Sequence, residues 1–278
     1  MFAQIIFVVW RESVEALLVV GILHAWLARN ADDRRGMRYL WAGVAAGVLA
    51  AVTLSFVLVK FLEALPPQWQ DYFQAGLILC AAALIVQMVF WMRRHGRTLK
   101  RQLEEELSAS VQTGKWWSVF VLALVAIARE GSETVVFLYG ILAAGSAGHL
   151  GETALAIALA LVAAFGTYWL LQFFSRRMSW RIFFRATGIM LLCLGSALVV
   201  TGIGYFVTFG LLPYTQPLWS TSFLLNDSAP IGGLVAALTG YRSEPDVVTV
   251  ATWLVYWGGI SAAFRIEAFL AKPSSAKA

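Results

Sequence analysis

Two short charged motifs lie where charge is most expensive. Arg11-Glu12-Ser13-Val14-Glu15 sits in an apolar run flanked by QIIFVVW and ALLVVGIL. Arg129-Glu130-Gly131-Ser132-Glu133 sits in another, flanked by VFVLALVAIA and TVVFLYGIL. Both read R-E-x-x-E. In a helix, positions i and i+3 share a face, so Glu12 projects beside Glu15 and Glu130 beside Glu133. Each arginine lies i, i+4 from the second glutamate and partly neutralises one carboxylate of its own helix. Packed side by side, the two helices would bring Glu12, Glu15, Glu130 and Glu133 together. Such a cluster is unstable alone, because like charges repel and burial strips their hydration. A multivalent hard cation removes both penalties. Oxygen-only ligation suits Fe3+, Mg2+, Ca2+ or Mn2+ better than Cu+ or a structural zinc.

Two salt-bridged motifs that merely pin a bundle would need no net charge. One arginine and two glutamates leave each segment negative. A charge at the bilayer centre costs about 2.5–3.5 kcal/mol on insertion scales, so an ionisable group there is a functional site by default. Its doubling strengthens that reading. The four glutamates are the expected metal ligands, with Arg11 and Arg129 in support.

The elements that must position these groups are membrane helices. Hydrophobic residues make up 60% of the 278 residues and charged residues 13%, about half the usual charge of a soluble domain. Apolar segments at 2–28, 39–62, 71–92, 116–144, 150–174, 182–208 and 247–270 are long enough to span, needing about 20 residues each. The expected fold is an all-α integral membrane protein with seven transmembrane helices in a single permease-like domain. Basic residues crowd into loop 29–38, loop 93–115, the 175–185 stretch and the C-terminal end, whereas 63–70, 145–149 and 209–246 hold only Arg242. The positive-inside rule then puts the N-terminus outside and the C-terminus in the cytoplasm. The two motifs fall on helices of opposite direction, each followed by two more helices. That is the pattern of an inverted repeat, helices 1–3 (about 1–92) against 4–6 (about 116–208), with helix 7 (about 247–270) outside it and the site at the midplane. Gly21-Ile22-Leu23 and Gly140-Ile141-Leu142 follow the two motifs, and Gly21, Gly131 and Gly140 leave room for close helix contact. The first segment has no basic n-region and reads as a retained helix, not a cleaved signal peptide.

The remaining regions carry weaker signals. In 93–115, Leu99, Leu103 and Leu107 form a stripe, predicting a short helix along the cytoplasmic face. Glu104, Glu105 and Glu106 there read as a solvated face, with receipt of a released cation as the sharper alternative. Outer loop 209–246 holds four prolines, and its APIGGLVAALTGY stretch is too short to span. Cys80 and Cys193 read as small packing residues, and His24, His95 and His149 as interfacial polar groups, His149 near Glu152 being the one worth testing. No P-loop, HExxH or nucleophile–base set is present, and 247–270 lacks the lysine a retinal pump needs, so a transporter is expected and not an enzyme.

Paired R-E-x-x-E motifs in helices 1 and 4, seven helices and an outside N-terminus resemble the high-affinity, oxidase-coupled ferric iron permeases. So do VFWMRRHGR at 89–97 and LTGYRSEPDV at 238–247, the latter like the family's G-Y-x-x-x-P-S region with Asp246 in place of serine. The resemblance runs along essentially the whole chain, and the compact size is similar to the bacterial branch. It implies iron import, with Glu12, Glu15, Glu130 and Glu133 binding iron beside Arg11 and Arg129. It also implies the bacterial inner membrane and a periplasmic iron-binding or iron-oxidising partner, since this chain shows no redox site. Iron (Fe3+ or Fe2+) would pass as substrate, with no permanently bound cofactor, and a homo-oligomer is compatible with the sequence. An inside-negative potential supplies about 2.3 kcal/mol per charge per 100 mV, about 7 for Fe3+, so uniport is sufficient and proton coupling equally open. Another cation (Mn2+, Pb2+ or H+) is the rival cargo, because four carboxylates bind many hard ions.

Overall fold

A computed structural model describes residues 1–30, 35–95, 101, 105, 107–108, 116–144, 150–173 and 180–270. Among these residues the structure is all α-helical, with no strand. The helices are α1 (Phe2–Asn30), α2 (Arg35–Ala64), α3 (Pro67–His95), α4 (Trp116–Ala144), α5 (Leu150–Phe173), α6 (Trp180–Thr208), α7 (Pro230–Thr239) and α8 (Val247–Leu270). Apart from the short α7, every helix falls on an apolar segment read from the sequence, with ends that agree to within four residues. The chain is a multi-pass membrane protein. α2, α3, α5, α6 and α8 are long and apolar enough to cross a bilayer. The two other long helices, α1 and α4, are those that carry the R-E-x-x-E motifs. The apolar stretches of α2, α5 and α8 are mostly exposed, with Phe56, Val162 and Val255 among the outward side chains. Exposure on this scale fits lipid and not water.

The chain forms two compact units that divide within α6, at Leu192/Cys193. In the first, α4 is the hub, packed by α2, α3 and α1, while α1 also packs on α5. α2 and α4 run parallel along a row of small residues. A Cβ on Gly43 would meet Ala123, one on Gly47 would meet Ile127, and one on Gly131 would lie 2.5 Å from the Ala51 Cβ. G-x-x-x-G-x-x-x-A at 43–51 is the small-residue spacing that lets membrane helices approach closely. α1 and α4 run antiparallel. Their centres meet at Glu12, Glu130 and Glu133, while Leu23 and Leu27 beyond Glu12 share a core with Val119 and Ala123, which precede Glu130. Leu40 of α2 and Leu107 complete that core. Leu107 thus faces inward. Leu99, Leu103, Glu104 and Glu106 lie outside the described residues, as does His149, and Glu105 forms an exposed pair with Arg101 at 3.2 Å.

The second unit comprises the later part of α6, the 209–246 segment with α7, and α8. The 209–246 segment is folded, not loose. α7 starts with Pro230 in its first turn and ends at Gly240, whose φ of 75° is left-handed and whose Cβ would crowd the Ala197 backbone of α6. Both demands select glycine. The Tyr241 hydroxyl donates to the Leu225 carbonyl at 2.9 Å and lies 2.6 Å from Thr221 Oγ1. Asp227 accepts from Ser243 Oγ at 2.7 Å and from its backbone N–H at 3.3 Å. Asp246 caps α8, accepting from the Thr249 N–H at 2.9 Å. Aspartate and serine are both good helix N-caps, so the cap is compatible with either residue at this position.

Candidate metal centre

The centre begins with how α4 is turned. Gly131 faces α2, and two residues further on, about 200° around the helix, Glu133 points away from that contact. α1 and α3 close the other sides of α4. On α1, Trp10 donates its indole N–H to Thr167 of α5 at 2.9 Å, and Val14 packs on Ala164 of the same helix. These contacts orient Glu12 toward α4. Carboxylate oxygens of Glu12, Glu130 and Glu133 all lie within 4.8 Å of one another.

The first motif is almost sealed from solvent. The Arg11 and Glu12 side chains are each 1% exposed and Glu15 is 11% exposed. Arg11 Nη1 pairs with Glu12 Oε1 at 2.7 Å, and Nη2 with Glu15 Oε1 at 2.5 Å. The second motif is more open. Arg129, 38% exposed, reaches Glu133 through Nε at 3.0 Å. Ser132 and Thr134 turn their hydroxyls back to carbonyls of their own helix and stay out of the cluster. One oxygen each of Glu12, Glu130 and Glu133, Oε2 in all three, is buried with no hydrogen-bond donor among the described residues. Buried carboxylate oxygens ordinarily find a donor. Three that do not, on residues whose carboxylates converge, form an oxygen-lined seat of the kind hard cations occupy.

Of the four glutamates expected from the sequence, the structure therefore gathers Glu12, Glu130 and Glu133, while Glu15 stands beside them bound to Arg11. Both arginines sit where the i, i+4 spacing puts them. Three site neighbours were not singled out from the sequence. Met88, Trp91 and Met92 of α3 contact the arginines: Arg11 Nη1 lies 2.6 Å from Met88 Sδ, Nη2 lies 2.8 Å from Met92 Sδ, and the Arg129 guanidinium lies 4.2 Å from the Trp91 ring centroid. Their i, i+3, i+4 spacing was the available signal, but in an apolar helix it reads equally as lipid face or core.

Known proteins share this arrangement of sequence along nearly its full length. The ferrous iron permease EfeU of Escherichia coli O6:H1 is 29% identical over 254 residues, 90% of each chain. That of Shigella sonnei is 29% identical over 251 residues, 88% of this chain and 89% of its own. That of Yersinia pestis is 24% identical over 256 residues, 90% of this chain and 88% of its own. No solved structure matches. All 278 residues match the Iron permease FTR1 family, and the chain belongs to it.

Proposed function

We propose that this chain imports iron across the bacterial inner membrane through the buried carboxylates of Glu12, Glu130 and Glu133, with Glu15 completing a four-glutamate path. The observation that carries the reading is the trio itself: oxygens within 4.8 Å, one on each residue lacking a donor, in the centre of two apolar helices. Such a trio is costly in a membrane, and a bound cation repays that cost. α1 and α4 are 29 residues each, about 43 Å at 1.5 Å per residue, which exceeds the hydrocarbon core and supports seven spans in all. Their antiparallel course supports the inverted repeat. So does the exchange of partners: swapping α1 with α4 and α2 with α5 turns the α1–α5 packing into α4–α2. In this reading the N-terminus is periplasmic, the C-terminus is cytoplasmic, and 209–246 meets the outer compartment, where a periplasmic partner delivers or oxidises the metal.

The ferric reading rests on the resemblance to oxidase-coupled permeases and on all-oxygen ligation. Two observations favour Fe2+ instead. The relatives above are named ferrous iron permeases. The four glutamates and two arginines also sum to two net negative charges, which a divalent ion balances and a trivalent ion exceeds. The test is uptake of labelled Fe2+ and Fe3+, separately, into proteoliposomes with an imposed inside-negative potential. Glutamate-dependent uptake of either species upholds the reading and assigns the valence. Uptake of Mn2+ or Pb2+ but of neither iron species would replace iron as the cargo.

A further inference from the structure

α3 contributes none of the four glutamates, yet it touches both arginines. Met88, Trp91 and Met92 form one stripe at i, i+3 and i+4. Two thioether sulfurs accept from the two terminal nitrogens of Arg11, and the Trp91 ring lies under the Arg129 guanidinium. All three side chains are electron-rich and uncharged. We propose that they form a neutral cradle that holds the guanidiniums while a cation occupies the carboxylates, and so set the affinity of the site. They are positioning residues: they act on the metal through Arg11 and Arg129. The proposal rests on the glutamate site proposed above.

The physical case is one of competition. Arg11 is paired with Glu12 and Glu15, and Arg129 with Glu133, so a cation on the free oxygens of Glu12 and Glu133 competes with the arginines for the same carboxylate charge. At 1% exposure Arg11 has no water to turn to. A buried guanidinium whose carboxylate partners share their charge with a metal is held less well, and that loss opposes metal binding. A carboxylate in the cradle would remove that obstacle, but its added charge would hold the cation too tightly to leave. An aliphatic residue would leave it in place. A thioether is a weak acceptor and an indole face a moderate one, neither adding charge. They are too weak to draw the arginines from the glutamates before metal arrives, and sufficient to keep them satisfied afterwards. Arg129, at 38% exposure, is far less enclosed than Arg11, so Trp91 should matter less than the methionine pair.

The test compares half-saturating iron concentrations for uptake into proteoliposomes by two pairs of variants. Met88→Leu/Met92→Leu conserves volume and removes the acceptors. Met88→Gln/Met92→Gln keeps a neutral acceptor. The expected result is a rise of about tenfold for the leucine pair and a smaller one for the glutamine pair, from the usual worth of a hydrogen bond. A purely packing role predicts the reverse order, because leucine for methionine is well tolerated in a core and a buried amide is not. Trp91→Leu should raise the value about threefold and Trp91→Phe, which keeps a ring face, less. Native half-saturation in the leucine pair, or a worse result for glutamine than for leucine, overturns the cradle. If the leucine pair does not yield folded protein, single Met92→Leu carries the same comparison against Met92→Gln. Glu130→Gln is measured alongside. If it transports normally, the glutamate site itself falls; if it is inactive while the leucine variants are native, only the cradle falls.

Discussion

The two R-E-x-x-E copies share a pattern but not a chemistry. In α1, Arg11 is sealed in and holds both glutamates of its motif. In α4, Arg129 is more than a third exposed and pairs with Glu133, and among the described residues Glu130 forms no salt bridge with an arginine. Identical spacing thus yields one copy largely neutralised from within and one that keeps a free carboxylate. The difference comes from the neighbours. α1 lies between α5 and α4, which enclose Arg11, whereas Arg129 lies over the Trp91 ring and keeps more than a third of its side chain exposed.

That contrast can be broken most forcefully at the glutamates. Glu130→Gln removes the unpaired carboxylate and should reduce iron uptake by about 100-fold or more, since even outer-sphere partners in metal sites are worth about 10–100-fold. Glu15→Gln, outside the trio and tied to Arg11, should cost less. Equal losses in a proteoliposome uptake assay would erase the distinction between the copies. The arginines come next. Arg11→Lys loses the planar fork that serves two carboxylates and should lower uptake about tenfold, while Arg129→Lys keeps its single ion pair and its place over Trp91 and should lower it about threefold or less. The same assay showing the reverse order would place the critical counter-charge in α4.

Packing gives a smaller, structural prediction. A methyl group on Gly131 would lie 2.5 Å from Ala51, whereas one on Gly204 would meet nothing within 4 Å. Gly131→Ala should therefore destabilise the purified protein by about 1–3 kcal/mol, and Gly204→Ala should be close to neutral, as read by thermal unfolding in detergent. The smallest effect concerns the outer segment and pH. Hydrogen bonds from Ser243 hold the Asp227 carboxyl below its ordinary value of 3.8. At Asp246 burial pulls upward, but hydrogen bonds from Thr249 and Thr215 outweigh it and the net direction is down. Groups with a lowered folded pKa contribute stability above the unfolded value and lose it as pH falls through the folded one. Amide exchange protection around Ser243 and Thr249 should stay level down to about pH 4 and weaken below that. Weakening between pH 7 and 5 would require a different titrating group.

Much of this was legible because membrane helices obey simple rules. Long apolar runs located every long helix, and the i, i+3 spacing put each glutamate pair on one face. The spacing did not reveal which carboxylates would be free, because that depends on whether water reaches Arg11 and Arg129, a property of the packing of α3 and α5. The parallel row of Gly43, Gly47 and Ala51 against α4 is written in the sequence as G-x-x-x-G-x-x-x-A, but the pattern alone does not say which helix it meets. Met88, Trp91 and Met92 were illegible for a deeper reason: an apolar side chain gives no sign in sequence that its neighbour is a buried arginine. Asp246 reads as a departure from a serine pattern and proves, in the fold, to cap α8.

The most direct test is iron-edge X-ray absorption on the purified protein loaded with iron, native and Glu130→Gln side by side. The expected native signal is a first shell of oxygen alone, with the iron lost or its oxygen count reduced in Glu130→Gln. Sulfur in the first shell would make Met88 or Met92 a ligand and not a cradle for Arg11. An oxygen shell unchanged by Glu130→Gln would put the iron somewhere other than the carboxylate trio and contradict the site altogether.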